Sequence, residues 1–175
     1  TPASAGTRYR VVEKLGQGGM GEVMLARDEQ VGRDVAIKYM REEAPDDRAI
    51  RRFLREASIQ GRLEHPAIVP VHELGRDIDG RPYFVMKKLA GTTLAKILRE
   101  DRKEFTRQKL LRTFADVCLA VEFAHVKGVI HRDVKPDNIV LGEFGEVYVL
   151  DWGIAKILDE QDGDFADIGA TSGSG

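Results

Sequence analysis

A cluster of glycines between two strand-like segments restricts the fold of this chain more than any other feature. The cluster lies in Gly16-Gln17-Gly18-Gly19-Met20-Gly21-Glu22-Val23, after the valine-rich stretch 10–15 and before the apolar stretch 23–26. Glycine accepts the backbone dihedral angles of a tight turn and lets backbone N–H groups approach an anion. A dinucleotide-binding fingerprint runs from a strand into a helix, whereas strands are predicted on both sides here. The cluster therefore predicts a hairpin whose turn is either a plain flexible loop or a phosphate-binding loop.

The remainder of the first half contains both strand and helix patterns. Apolar residues recur at three- and four-residue steps between a cap at Asp46 or Asp47 and a stop at Pro66, which predicts a long amphipathic helix. An Asp-Gly pair of the kind that closes hairpins lies between two further strand patterns. The strands that follow the glycine cluster are predicted at 34–40, 68–74 and 83–89. Five strands and one long helix are thus expected before residue 90.

The second half begins with helix patterns. A short helix is predicted at 92–99, and a long one begins after a cap at Thr106 and ends at Gly128. A charged loop, 131–138, separates the long helix from a pair of short strands at 139–141 and 147–150. The predicted fold class is therefore α+β.

Composition excludes several classes of protein. The 175 residues carry a formal net charge of −2 from 27 basic and 29 acidic side chains, which does not favour a nucleic-acid partner or a polybasic membrane anchor. No apolar run approaches the roughly 20 residues of a membrane helix, so no membrane segment is expected. Cys118 is the single cysteine, so no internal disulfide or thiol metal site can form, and we expect a cytoplasmic location.

The segment His131-Arg132-Asp133-Val134-Lys135-Pro136-Asp137-Asn138 combines the groups that phosphoryl transfer requires. That chemistry needs a carboxylate to orient a hydroxyl, a cation near the transferred group, and oxygen ligands for a metal ion. Asp133, Lys135 and Asn138 supply one of each. A solvated charged turn would explain the polarity of this segment but not the order of its residues.

Two further sites carry charged residues, Lys38 with Glu56 and Asp151, whose functional interpretation depends on the presence of this loop. Lys38 ends the apolar run Val35-Ala36-Ile37, and Glu56 projects from the helix that follows. Each alone is most simply a surface residue, but as an ion pair they could direct an ammonium group at phosphate oxygens. Asp151, in Asp151-Trp152-Gly153, stands at a strand end, where it is either part of a plain turn or a ligand for Mg²⁺.

In this order, the segments resemble the eukaryotic-like (Hanks-type) protein kinases, and the glycine segment resembles their bacterial serine/threonine branch. The resemblance covers residues 8–158. It implies a bilobal, protein-kinase-like fold with a five-stranded antiparallel N-lobe bearing one long helix, and an incomplete, mainly helical C-lobe. The implied boundaries are a flexible leader at 1–9, the ATP-binding N-lobe at 10–89, a partial C-lobe at 90–158, and the start of an activation segment or a flexible tail at 159–175.

The resemblance also implies roles for individual residues, with ATP and Mg²⁺ as cofactors and a protein serine or threonine as substrate. Asp133 is implied as the catalytic base, Lys135 as the neutraliser of the γ-phosphate, and Lys38, paired with Glu56, as the contact to the α- and β-phosphates. Asn138 and Asp151 are the implied ligands of Mg²⁺. The implied nucleotide-binding residues are Leu15, Gly16, Gly18, Gly21, Val23, Ala36, Lys38, Met86, Lys87, Leu89 and Val140.

Three departures from the family pattern modify these expectations. Trp152 replaces the usual phenylalanine, and Gln60 stands where an apolar residue normally packs, so it would need a hydrogen-bond partner if buried. No Ala-Pro-Glu-like motif follows Asp151, so we expect a chain truncated within the activation segment, with weak or no activity. Candidate phosphorylation sites, chosen by position alone, are Thr171, Ser172 and Ser174, although an inert linker is the simpler interpretation.

Two further expectations concern partners and alternatives. Without the missing helices, an apolar face of the long helix around Leu111, Phe114, Val117 and Val121 would be exposed, so we expect self-association through it. The alternative function is a pseudokinase or nucleotide-binding interaction module. A small-molecule kinase is disfavoured by Lys135 and by the close match of the glycine segment.

Overall fold

A five-stranded antiparallel sheet forms the first half of the molecule. The computed structural model describes residues 8–18, 21–40, 46–100 and 103–158. The strands of the sheet are Tyr9–Gly18 (β1), Gly21–Asp28 (β2), Arg33–Met40 (β3), Val71–Arg76 (β4) and Pro82–Lys87 (β5). They pair in the order β1-β2-β3-β5-β4, and the five antiparallel strands confirm the predicted fold class. The tail at 159–175, with its candidate phosphorylation sites Thr171, Ser172 and Ser174, and most of the leader, residues 1–7, lie outside the described residues.

The described parts of the glycine segment, residues 16–18 and 21–23, belong to the strands themselves. β1 and β2 pair as far as Gly18 opposite Gly21, so the strands extend further into the glycine cluster than predicted. Position 21 requires a glycine, because a Cβ there would overlap the backbone carbonyl of Tyr39 on β3.

Helix α1, Asp47–Arg62, crosses one face of this sheet. Asp46 is its N-cap, and the side chain accepts a hydrogen bond from the backbone N–H of Ala49 at 2.6 Å, which satisfies one of the free donors of the first turn. Phe53 and Ala57 pack against Met40 and Phe84 of the sheet in one apolar cluster. This packing determines which face of α1 points at β3.

The second half is built from helices and short strand pairs. Its helices are α2, Leu94–Arg99, and α3, Arg107–Val126, with Thr93 and Thr106 as their N-caps. Gly128 follows α3 with a φ of +74°, which favours glycine. The small strands are Thr92–Thr93 (β6), Val129–Ile130 (β7), Ile139–Leu141 (β8), Val147–Val149 (β9) and Lys156–Ile157 (β10). They form a three-stranded sheet, β6-β8-β9, and a pair, β10-β7.

The predicted strand 68–74 is wrong at its start. Val71 begins β4, whereas Ile68 forms an isolated parallel bridge with Val149, whose N–H donates to the carbonyl of Ala67 at 2.8 Å. Ala67 and Ile68 belong to the large apolar core of the second half. An apolar run of this length does not reveal which of two cores will bury it.

The predicted exposed face of α3 is also partly wrong. Val117 is buried in the core and Val121 packs against it, whereas Leu111 and Phe114 are 58% and 66% exposed. The helix 92–99 begins two residues late, because Thr92 and Thr93 pair with β8. Neither α3, at 20 residues, nor either shorter helix of the described residues has the sustained apolar character that crossing a bilayer requires.

Candidate active site

A cleft of about 400 Å³ lies between the sheet of the first half and the β8–β9 region of the second. It is lined by Leu15, Gly16, Gln17, Val23, Ala36, Lys38, Glu56, Gln60, Val69, Met86, Lys87, Leu89, Gly91, Asn138, Val140, Leu150 and Asp151. Two other grooves, of about 490 and 600 Å³, are both lined by Lys87 and Tyr148. Neither groove is lined by Lys38, Asn138 or Asp151. The cleft of about 400 Å³, here called the front cleft, is lined by all three.

The cleft brings together most of the predicted site residues. Its lining includes every predicted nucleotide-binding residue except Gly18 and Gly21, along with Glu56 and both predicted metal ligands. Asp133 and Lys135 are outside the lining, but Asp133 bonds directly to Asn138, which is part of it.

Lys38 and Glu56 form a buried ion pair at one end of the cleft. The Lys38 Nζ atom lies 2.6 Å from Oε1 and 2.8 Å from Oε2 of Glu56. The side chains are only 13% and 4% exposed. Burial raises the pKa of Glu56 above its ordinary value, against the opposing effect of Lys38. An ammonium group has three donors and Glu56 accepts from two of them at most, so one donor is left for an anion in the cleft that Lys38 lines.

Asp133 is held as an ionised carboxylate. Lys135 donates to its Oδ2 atom at 2.7 Å, and the Nδ2 atom of Asn138 donates to the same oxygen at 3.1 Å. The hydrogen bond from Lys135 is the largest cause of a lowered pKa for Asp133, and the same bond raises the pKa of Lys135. The carboxylate is therefore a weak base at neutral pH, suited to orienting a hydroxyl group and accepting its proton late.

The oxygens of Asn138 and Asp151 fit a divalent cation. Both Asn138 contacts use its Nδ2 atom, at 3.0 Å from the Asp133 carbonyl and 3.1 Å from the Asp133 carboxylate, so its Oδ1 atom is the free end of the amide. Within the described ranges no cluster of three His, Cys, Asp or Glu side chains occurs. Mg²⁺ commonly takes one or two protein oxygens and completes its shell with water and substrate phosphates, so these two side chains would be enough to hold it.

The backbone is strained at two points beside these residues. Arg132 has a φ of 68° and Asp151 a φ of 60°, both in the left-handed region that non-glycine residues avoid. Arg132 is held there by a 2.6 Å hydrogen bond from Nε to the carbonyl of Ile154. The carboxylate of Asp151 accepts from the N–H of Gly153 at 3.3 Å. Strain of this kind is common where a side chain must be aimed at a ligand.

His131 was not predicted as a site residue, but it positions the loop. Its Nδ1 atom accepts from the N–H of Asp133 at 3.1 Å, so Nε2 carries the proton and donates to the carbonyl of Leu150 at 2.8 Å. The ring packs edge-on against Trp152 at 4.4 Å. Burial lowers the pKa of His131 and keeps the ring neutral. In the sequence, only its place before Arg132 and Asp133 could have indicated this role.

The backbone at 87–89, here called the hinge, joins the two halves beside the cleft. The N–H of Lys87 donates to the carbonyl of Pro70 at 3.2 Å, so this N–H is not available to a ligand. Behind the hinge, the Lys87 ammonium donates to the hydroxyl of Tyr148 at 2.5 Å. The nitrogen is 5.0 Å from the ring centroid, a distance that reflects approach at the hydroxyl end of the ring rather than over its face.

Comparison with known proteins agrees with this geometry. The protein kinase domain family matches residues 9–172. The chain is 40% identical over 164 residues to the serine/threonine-protein kinase PknD of Protochlamydia amoebophila, and 44% identical over 159 residues to PknD of Chlamydia muridarum. These alignments cover 87% and 85% of this chain but only 17% of each relative, so the chain spans about a sixth of their length.

A solved structure shows the same architecture. The PknI kinase domain of Mycobacterium tuberculosis superposes with a TM-score of 0.70 at 31% identity, covering 89% of this chain and 64% of that domain. The family match and the relatives agree on the family, and the solved structure agrees with the overall fold described above. The chain therefore belongs to the protein kinase domain family, in its bacterial serine/threonine branch.

Proposed function

We propose that this chain binds Mg²⁺-ATP in the front cleft and that the domain from which it comes transfers the γ-phosphate to a serine or threonine of a protein. The observation that carries the proposal is the convergence of Lys38, Asn138 and Asp151 on one cavity, with Asp133 one hydrogen bond away. The apolar end of the cleft, at Leu15, Ala36, Val140 and their neighbours, suits a purine ring.

The chain's residues have separate parts in this proposal. The Lys38 ammonium, held by Glu56, binds phosphate oxygens. Asp133 orients the substrate hydroxyl and accepts its proton, and Lys135 balances charge beside it. Asn138 and Asp151 would hold Mg²⁺, which when bound would neutralise charge on the phosphates.

We propose that the 175-residue chain binds nucleotide but transfers the γ-phosphate slowly. The chain corresponds to 64% of the solved PknI kinase domain, and positioning a peptide requires a surface that reaches the hydroxyl with near-ideal geometry. A displacement of about 1 Å can lower a rate by about 100-fold. A pseudokinase or nucleotide-binding interaction module remains the alternative and would bind without any transfer.

A comparison of variants tests the proposal. Asp133→Asn should leave Mg²⁺-ATP binding unchanged in calorimetry and abolish phosphorylation of a generic protein substrate, with an active kinase domain run alongside. Lys38→Met should weaken binding by about tenfold, since one charge-assisted contact of roughly 1.5 kcal/mol is lost. Lys127→Met, which lies outside the cleft, is the control. Equal nucleotide affinity in Lys38→Met and wild type would contradict the assignment of the cleft.

A second variant keeps the test decisive if Lys38→Met does not fold. Lys38→Met leaves Glu56 buried without its partner, at a cost of about 3–5 kcal/mol if the carboxylate stays charged. The double variant Lys38→Met/Glu56→Gln removes both charges and should fold while still binding ATP weakly. A double variant with wild-type affinity would count against the proposal in the same way.

We also propose self-association through α3. Leu111, Phe114, Leu119 and Val126 are exposed on this helix. They lie within an arc of about 140° around its axis, opposite the buried residues Thr113, Val117, Ala120 and Ala124. An exposed apolar face of this kind favours contact with a second copy. The cytoplasmic location expected from the single cysteine stays a prediction.

A further inference from the structure

The two grooves outside the front cleft share four lining residues. Both the groove of about 490 Å³ and the groove of about 600 Å³ are lined by His65, Pro66, Lys87 and Tyr148. We call these four residues the junction and the two grooves together the rear furrow. The smaller groove continues over the end of α1 and the segment that leads into β4, and the larger one continues over α3 and β9. A ligand that crosses the junction would therefore contact both grooves.

The junction has more hydrogen-bond donors than its own acceptors can use. The Lys87 ammonium has three donors and gives one to the Tyr148 hydroxyl at 2.5 Å. Because that hydroxyl accepts from Lys87, its own proton is free for a second bond, and the described residues include no acceptor for it. The Nδ1 atom of His65 accepts from the N–H of Ala67 at 3.1 Å, so the proton of the neutral ring is on Nε2.

The charge of Lys87 is also unpaired in the part of the chain that the structure describes. Its side-chain partner, Tyr148, is neutral, and no described carboxylate forms an ion pair with it. Tyr148 is only 5% exposed, whereas Lys87 is exposed, so a ligand can reach the ammonium from solvent and meet a hydroxyl that is shielded from water. An ammonium donor beside a hydroxyl donor fits a carboxylate, which can accept through both oxygens.

Three carboxylates line the furrow away from the junction. Glu64 lines the smaller groove, and Asp116 and Glu146 line the larger one beside the exposed Leu119. Asp116 is half-buried and has no partner among the described residues. Glu146 accepts only from the backbone N–H of Phe144, at 3.0 Å, within the same ranges. The larger groove therefore favours a cationic group and would repel a second ligand carboxylate.

We propose that the rear furrow docks an extended peptide of a partner protein, with a carboxylate side chain at the junction and a lysine or arginine beside Asp116 and Glu146. A peptide fits this surface because the furrow favours opposite charges in two separate places and offers apolar walls between them. The three carboxylates of the furrow disfavour a polyacidic or phosphorylated segment.

Anisotropy of labelled peptides tests the proposal. The probes are blocked, alanine-based peptides with an uncharged dye, a central glutamate, a leucine on one side and an arginine one to four positions away on the other, in both orders. Lys87→Met should weaken the best probe about tenfold, the equivalent of one charge-assisted bond, and Tyr148→Phe about threefold. Lys88→Met is the matched control, because the neighbouring lysine lines neither groove, and it should bind like wild type.

Combining peptide and protein substitutions tests each contact separately. A probe with glutamine in place of its glutamate should bind wild type about tenfold more weakly and lose nothing further in Lys87→Met, because both changes remove the same interaction. A probe with glutamine in place of its arginine should lose about threefold and nothing further in the double variant Asp116→Asn/Glu146→Gln. Circular dichroism verifies folding, and Lys87→Gln replaces a Lys87→Met that does not fold.

Four results would overturn the inference. They are no binding of any probe up to about 1 mM, equal affinity in Lys87→Met and Lys88→Met, equal affinity of the arginine probe and its glutamine version, and displacement of the probe by an equal concentration of N-acetylglutamate. The last result would indicate a site for a small carboxylic acid instead of a peptide. Nucleotide is left out of every titration, so the outcome does not depend on the proposed function of the front cleft.

Discussion

At the scale of single residues, the charge states around Asp133 follow from local contacts. Lys135 lowers the pKa of Asp133 through a direct hydrogen bond, while burial keeps the ring of His131 neutral. Both shifts make the protein less stable as the pH falls, each in its own pH range, because in each case the unfolded chain binds the proton more readily. The ionised carboxylate is satisfied in the folded protein, whereas protonation of His131 would leave a charge in an apolar site that offers no acceptor for the Nδ1 proton.

We expect His131 to make the protein less stable in mild acid. Its pKa in the folded state is below the value of about 6.5 that it has when unfolded. The unfolded chain therefore binds more protons below that pH, and the free energy of unfolding should fall as pH decreases, by at most about 1.4 kcal/mol per pH unit. Urea unfolding at pH 7.5, 6.5 and 5.5 measures this slope. Above pH 7.5 the group should contribute no slope.

Two variants identify the source of the slope. His131→Asn should be less stable at pH 7.5 but show a flatter dependence between pH 7.5 and 5.5. The pKa of His72 is also lowered by burial, so His72→Asn measures its separate share. An unchanged slope in His131→Asn would contradict the assignment of a neutral ring.

At the scale of elements, α1 and α3 are capped in the same way but differ in their relation to the cleft. Asp46 caps α1 at 2.6 Å, and Thr106 caps α3 at 3.3 Å. Of these two helices, only α1 presents side chains, Glu56 and Gln60, to the cleft. The two caps therefore form a matched pair for asking whether the order of α1 matters to ligand binding.

We predict that Asp46→Ala and Thr106→Ala each lower the free energy of unfolding by about 1 kcal/mol, since each removes one capping bond. Only Asp46→Ala should also weaken Mg²⁺-ATP binding, because fraying of α1 loosens the support of Lys38 by Glu56. Thermal unfolding and calorimetric titration measure the two effects. Equal nucleotide affinity in both variants would show that the start of α1 does not influence the cleft.

At the scale of the whole molecule, the two halves meet in three places. Ile59 and Leu63, at the end of α1, belong to the large apolar core of the second half, and a small apolar cluster and the hinge add to this contact. Val69, Val140 and Tyr148 pack together with Met86 and its neighbours, and the bond from Lys87 to Tyr148 joins the halves behind the cleft. On the far side of the second half, α3 keeps an apolar face toward solvent. Internal packing is therefore strong where the halves meet and incomplete on the outer side of α3.

We expect the chain to form dimers or larger species at high concentration through that face. Phe114→Ser should shift the species toward monomer in light scattering, because it removes the most exposed aromatic of α3. Phe144→Ser is the matched control, since Phe144 is 91% exposed but lies in the β8–β9 turn. A wild-type chain that stays monomeric at high concentration would refute the expectation, as would equal effects of the two substitutions.

Local sequence patterns were sufficient to predict most of the elements and the family of the chain. The cap at Thr106, a cap at Asp46 or Asp47, and the five strands were predicted because periodicity and capping act between residues within about four positions of each other. The roles of Lys38, Glu56, Asp133, Asn138 and Asp151 came from the resemblance of their segments to a family.

The tertiary structure alone decided which core buries Ile68 and why Val117 is not exposed. It also decided which carbonyls accept from the buried side chains of Gln60 and Trp152, namely those of Val69 and Val149. These outcomes depend on contacts between segments far apart in the chain, such as Ile68 with Val149. Apolar character or a free N–H group indicates that a partner is needed, but only packing selects which partner is within reach.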